Sequence, residues 1–175
     1  MQLDLYNKHF TEFFADAKIQ EQIQQSVELV QKNKRVIFIG NGGSNSIASH
    51  MMEDFAKVAR IPTLSFSDGA LITCFANDYG FENAIAEWLK IQYMPGDLLV
   101  AISSSGESKN IVNAANHFKS VGGSVLTLSG FKEGNALSKI GDINFYLNAS
   151  NYGIVECYHQ VIIHAVLDEI VAKGK

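Results

Sequence analysis

Two short loops and one helical turn hold the residues best suited to chemistry. Gly40-Asn41-Gly42-Gly43-Ser44-Asn45-Ser46 follows the apolar run Val36 to Ile39 and precedes Ile47, Met51 and Phe55, spaced as the buried side of a helix. Glycines let the backbone come close to an anion, and the positive end of a helix dipole favours negative charge, so this loop suits a phosphate or sugar hydroxyls. It is neither GxGxxG nor a P-loop, since no Lys-Ser/Thr pair follows its last glycine, and a nucleotide cofactor is therefore not expected. Ser103-Ser104-Ser105-Gly106-Glu107-Ser108 follows a second apolar run and precedes a helix predicted over Lys109 to Val121. Its hydroxyls and N–H groups can hold a phosphate with little net charge, a grip that still permits release. Each loop also has a plainer reading as a helix cap or tight turn. His50 and Asp54 stand four apart on the helix after the glycine loop, so both project from one face and can share a proton or a metal ion. Glu53 points about 100 degrees away around that helix and is the lesser candidate.

These groups need a frame, and the hydrophobic pattern predicts one. Apolar residues recur at helical steps from Leu3 to Lys32, as two helices or one bent helix. Beyond Lys34, five short apolar runs (Val36 to Ile39, Thr63 to Phe66, Leu98 to Ile102, Val125 to Leu128, Ile143 to Leu147) end in small polar loops followed by helical periodicity. Continuous apolar strands joined by helical crossovers imply a three-layer α/β/α, doubly wound, five-stranded parallel sheet with an N-terminal helical extension. Both candidate loops then lie on the carboxyl edge of one sheet, where such folds bind ligands. Val155 to Ala172 is predicted as a closing helix. The organisation expected is residues 1–33 as N-terminal helices available for oligomerisation and residues 34–175 as the sheet domain, in one structural unit.

Composition removes whole classes of function. The 175 residues carry a formal net charge of -4, which argues against nucleic acid or an anionic membrane as partner. No apolar stretch reaches spanning length and the N-terminal residues lack a basic start, so a cytoplasmic protein is expected. Cys74 and Cys157 lack CxxC spacing and are expected as reduced packing residues.

Taken together, GNGGSNSIASHMMED, SFSDGALITCFANDYGFE, GDLLVAISSSGESKNIVNAA, GGSVLTLSG and VECYHQVIIHAVLDEI resemble the successive blocks of a sugar isomerase (SIS) domain phosphoheptose isomerase. The resemblance spans nearly the whole chain. It implies that Ser103, Ser104, Ser105 and Ser108 contact phosphate, that Asn41, Gly42, Gly43 and Ser44 line the sugar, and that Asp78 lies near the substrate. It further implies a catalytic set of His164, Asp54, Glu156 and His50, the same four able to hold zinc, and a homo-oligomer, tetrameric as in the family. On one helix Glu156 and His164 lie eight residues apart, roughly 12 Å along the axis, so both cannot reach one ion from the same chain and a neighbouring subunit is expected to contribute. His159 faces differently and is expected at a surface or interface.

The chain departs from the family pattern at four places. Asp54 stands where glutamate is usual, Glu156 where glutamine is usual, Val58 in place of a basic residue (with Lys57 or Arg60 as substitutes) and Gly153 in place of an acid. The activity implied is interconversion of sedoheptulose 7-phosphate and D-glycero-D-manno-heptose 7-phosphate for nucleotide-heptose and surface polysaccharide synthesis. Alternatives are another ketose/aldose phosphate isomerase, or a non-catalytic sugar-phosphate-binding regulator resembling a replication-initiation protein.

Overall fold

Asp16 splits the N-terminal apolar pattern into two helices, because its carboxylate accepts the Lys18 N–H and caps the second. The computed structural model describes residues 2–174. In chain order it forms α1 (Gln2–Phe14), α2 (Ala17–Lys32), β1 (Arg35–Ile39), α3 (Gly43–Lys57), β2 (Thr63–Ser65), α4 (Gly69–Tyr79), α5 (Phe81–Gln92), β3 (Asp97–Ser103), α6 (Lys109–Ser120), β4 (Ser124–Ser129), a 3-10 turn (Leu137–Lys139), β5 (Ile143–Tyr146) and α7 (Tyr152–Lys173).

The five strands are parallel, in the order β2-β1-β3-β4-β5. From β1 the chain moves first to one side and then to the other, so the strand order reverses between β1 and β3. The loops leaving those two strands therefore flank the switch-point crevice at which open α/β sheets bind ligands. Helices cover both faces. Val36, Phe38 and Val100 face α1, α2, α3 and α7, while Ile37, Ile39 and Leu99 face α5 and α6, which is why these strands read as unbroken apolar runs. The N-terminal helices share the first core: Phe13 of α1 meets the Tyr158 ring of α7 edge-on, at a centroid distance of 3.8 Å.

α7 starts three residues before the periodicity suggests, because Asn151 caps it by accepting from the Gly153 and Ile154 N–H groups. Two expectations are corrected. Cys74 and Cys157 are exposed and unpaired rather than packed, being on the outer faces of α4 and α7. His159 is fully buried rather than at the surface, because α7 is embedded on most of its circumference. Among the described residues no helix is long and apolar enough to cross a membrane.

Candidate active site

Three helix N-termini converge on one cavity at the switch point. Its volume is about 260 Å³, and Asn41, Gly42, Gly43, Ser44, Ser103, Ser104, Ser105, Ser108, Tyr152 and Glu156 line it. The first four open α3, Ser108 caps α6, and Tyr152 and Glu156 belong to the first turns of α7. Neither Gly42 nor Ser108 donates a side-chain cap, so the first N–H groups of α3 and α6 are left for a ligand, with the positive ends of their dipoles behind them. Gly42 adopts a φ of +52° to turn the chain from β1 into α3, a conformation other residues rarely adopt. Gly43 leaves space of another kind: a Cβ there would collide with the Glu156 carboxylate.

The serine loop is braced from within and from behind. Ser103 Oγ accepts the Gly106 N–H at 3.2 Å and lies 3.1 Å from Ser108 Oγ, while Ser105 Oγ accepts the Glu107 N–H at 3.2 Å. Gly106 turns with a φ of +67° against the buried side chain of Asn135, and its carbonyl accepts the Leu137 N–H. No lysine or arginine lines the cavity, and Glu156 is the one charged side chain among its lining residues.

Two turns farther along α3, a second group assembles. Asp54 Oδ2 lies 3.2 Å from His50 Nε2 and 3.5 Å from His164 Nε2, the latter reaching across from α7. The two imidazole rings stand edge to face at 5.3 Å. Ligand atoms of His50, Asp54 and His164 all fall within 4.8 Å of one another. That donor set and spacing fit a divalent cation such as zinc, which in catalytic sites takes three protein ligands and keeps one position open. His164 Nδ1 is 3.0 Å from the Gln160 carbonyl oxygen, which can only accept, and 2.8 Å from the Gln160 side-chain amide. The carbonyl calls for a protonated Nδ1 and the side-chain amide, which can only donate, for a bare one, so the two contacts fix the orientation of the ring and leave Nε2 facing Asp54.

Three of the four predicted His and carboxylate groups thus meet within one chain, and no second subunit is needed to bring them together. Glu156 is not among them, because its eight-residue separation from His164 leaves it beside Gly43 at the other end of the α3–α7 seam. Glu53 lies on the exposed side of α3, in an open groove with Ser46, Ser49 and His50. Asp78 is exposed near the end of α4, accepting from Asn77 Nδ2 at 2.9 Å, and lines neither that groove nor the serine cavity. Gln160 and Tyr152 were missed, although both stand one helical turn before a singled-out residue, His164 and Glu156 respectively.

The chain is similar in sequence and in fold to known proteins. The SIS domain profile matches residues 7–130. A phosphoheptose isomerase of Fusobacterium nucleatum is 32% identical over 169 residues, spanning 93% of this chain and 87% of that protein. One from Campylobacter concisus is 33% identical over 153 residues, with 84% and 80% covered. The solved phosphoheptose isomerase of Francisella tularensis superposes with a TM-score of 0.78 at 26% identity, over 98% of this chain and 99% of that one. The Neisseria gonorrhoeae phosphoheptose isomerase shares the fold with a TM-score of 0.87 at 23% identity, over 97% and 95%. A profile that covers most of the sheet, and curated relatives matched nearly end to end, place this chain in the SIS-domain family, in its phosphoheptose isomerase branch.

Proposed function

We propose that the protein interconverts sedoheptulose 7-phosphate and D-glycero-D-manno-heptose 7-phosphate through an enediol, in the cytoplasm, supplying heptose for surface polysaccharide synthesis. The observation that carries this reading is the pairing of a cation-free cavity under three helix N-termini with a His50–Asp54–His164 group on the same helix seam. The cavity supplies N–H and hydroxyl donors suited to a phosphate, with helix dipoles standing in for the missing lysine or arginine. Gly43 and His50 are seven residues apart on α3, roughly 10 Å along its axis, a span in keeping with an extended seven-carbon sugar phosphate.

Isomerisation moves one proton between C1 and C2 and shifts the carbonyl between their oxygens. In this reading His164 Nε2 takes the proton from one carbon and returns it to the other, with Gln160 fixing the orientation of its ring. Asp54 orients both rings, and His50 gives a proton to the carbonyl oxygen as the enediol forms and takes one from the neighbouring hydroxyl as the enediol collapses to the new carbonyl. Zinc, when bound, would be held by His50, Asp54 and His164 and would polarise the carbonyl. Elemental analysis of untagged protein, with activity before and after chelation, separates a metal-holding trio from a proton-carrying one.

The chemistry is tested by His164→Ala. Turnover of sedoheptulose 7-phosphate is expected to fall by at least about 10²-fold, the usual worth of a general base, while calorimetric binding of the ketose phosphate persists. Full activity in that variant would refute the assignment. A homo-oligomer belongs to the same proposal. α4 is as apolar as the buried α7 and has no buried residue, and Asp78 near its end stands ready to enter a site across an interface.

A further inference from the structure

The two cradle loops are joined by a bond that neither motif announces. Asn41, in the loop after β1, and Asn110, in the first turn of α6, form a reciprocal amide pair. Asn41 Nδ2 donates to Asn110 Oδ1 at 2.9 Å, and Asn110 Nδ2 donates to Asn41 Oδ1 at 2.8 Å. Asn110 is 3% exposed. An amide this deeply buried must be hydrogen-bonded, and the partner it finds is the amide of the other loop.

The surroundings of the pair define its task. On one side of the pair lies the serine and glycine cavity, to which Asn41 contributes. On the other lies a separate cavity of about 190 Å³, lined by both asparagines together with apolar groups that include Phe66, Ile72, Phe81 and Ile85. The other polar side chain lining that cavity, Asn45, already accepts from Ser67 Oγ at 3.0 Å through its Oδ1. The pair is therefore a partition wall, and it is the direct side-chain link between the loop that opens α3 and the helix that follows the serine loop.

We infer that the Asn41–Asn110 pair is a positioning element that sets the separation of the two loops and so the affinity for the phosphate end of the substrate. The inference rests on the proposed function for the nature of the ligand. Two neutral amides bonded face to face hold the loops in register without placing a cation beside the phosphate, so the grip stays reversible. With one partner removed, the other amide is left unsatisfied, the loops part, and the anion must reassemble its own cradle on binding. Neither side chain takes part in proton transfer, so the loss falls on binding rather than on turnover.

The test is calorimetric titration of sedoheptulose 7-phosphate and of inorganic phosphate into the full-length wild type, Asn41→Ala, Asn110→Ala and the double variant, with steady-state kinetics on each. Asn110→Ala is expected to weaken both ligands and raise KM about tenfold while kcat changes by less than about twofold. The double variant should be no weaker than the worse single one, because the two residues act as one unit. A pair that serves stability alone would lower the melting temperature and leave affinity unchanged; that result, or additive losses in the double variant, overturns the inference. If Asn110→Ala does not fold, Asn110→Ser takes its place, and unchanged affinity there overturns the inference equally. A wild type that binds neither ligand contradicts the proposed function instead, so the two failures are distinct.

Discussion

His159 and His164 sit five residues apart on α7 and live in opposite worlds. His164 reaches Asp54 across the helix seam, whereas both ring nitrogens of His159 are buried and, among the described residues, make no hydrogen bond of good geometry. Burial holds the pKa of His159 down at about 4, against an ordinary value of 6.5, and the nearby Ser129 backbone offsets this only in part. The unfolded chain therefore binds a proton below pH 6.5 that the folded chain refuses until about pH 4. Stability is unaffected above that window and falls within it, by on the order of 3 kcal/mol at its acid end. His159→Leu removes the titration and two unsatisfied nitrogens together. We predict that its melting temperature matches or exceeds that of the wild type at pH 7 and exceeds it by a growing margin toward pH 4.5. A constant difference across that range would contradict the assignment. Sequence periodicity could tell that these two histidines face differently, but not which face meets the core, because α7 is apolar around most of its circumference.

At the scale of elements, the base of the sheet is clamped opposite the site. Arg35 opens β1 and Asp97 opens β3; Arg35 Nε donates to Asp97 Oδ1 at 3.0 Å and Nη2 to Oδ2 at 2.6 Å. Asp97 is 2% exposed and also accepts the Met94 N–H at 2.8 Å. Removing one partner of so buried a pair leaves an uncompensated charge. Asp97→Ala is expected to cost about 3–5 kcal/mol in chemical denaturation, with any soluble fraction keeping its KM, since the clamp lies at the far end of the strands from the ligand. A loss below about 1 kcal/mol would place the pair with weak surface ion pairs. The strands were legible because a sheet covered on both faces needs unbroken apolar runs, and the two loops because small polar residues must follow them. The order β2-β1-β3-β4-β5 was not legible, since a run of apolar residues carries no label for its neighbour. The meeting of His164 with His50 and Asp54 followed from the family resemblance and was expected to need a neighbouring subunit; that one chain supplies all three depends on how α7 packs against α3, of which spacing on either helix alone says nothing. The Asn41–Asn110 bond escaped for the same reason.

At the scale of the whole molecule, α4 and the turn after it leave Tyr79 and Phe81 about half exposed, at 48% and 55%, beside a helix with no buried residue. An apolar helix so placed gains by burial against another copy. Sedimentation is expected to show an oligomer, and Phe81→Asp to shift it toward smaller species with reduced activity; a fully active monomer would refute the shared-site part of the proposal. The central claim is narrower: this fold moves a proton between adjacent sugar carbons with side chains set at the end of a phosphate cradle. The most direct measurement is deuterium incorporation from solvent into sedoheptulose 7-phosphate, followed by NMR at C1 and C2. We predict exchange and aldose formation with the wild type and neither with His164→Ala. A wild type that binds the ketose phosphate yet exchanges no carbon-bound hydrogen, or a His164→Ala variant that exchanges at the wild-type rate, would contradict the account.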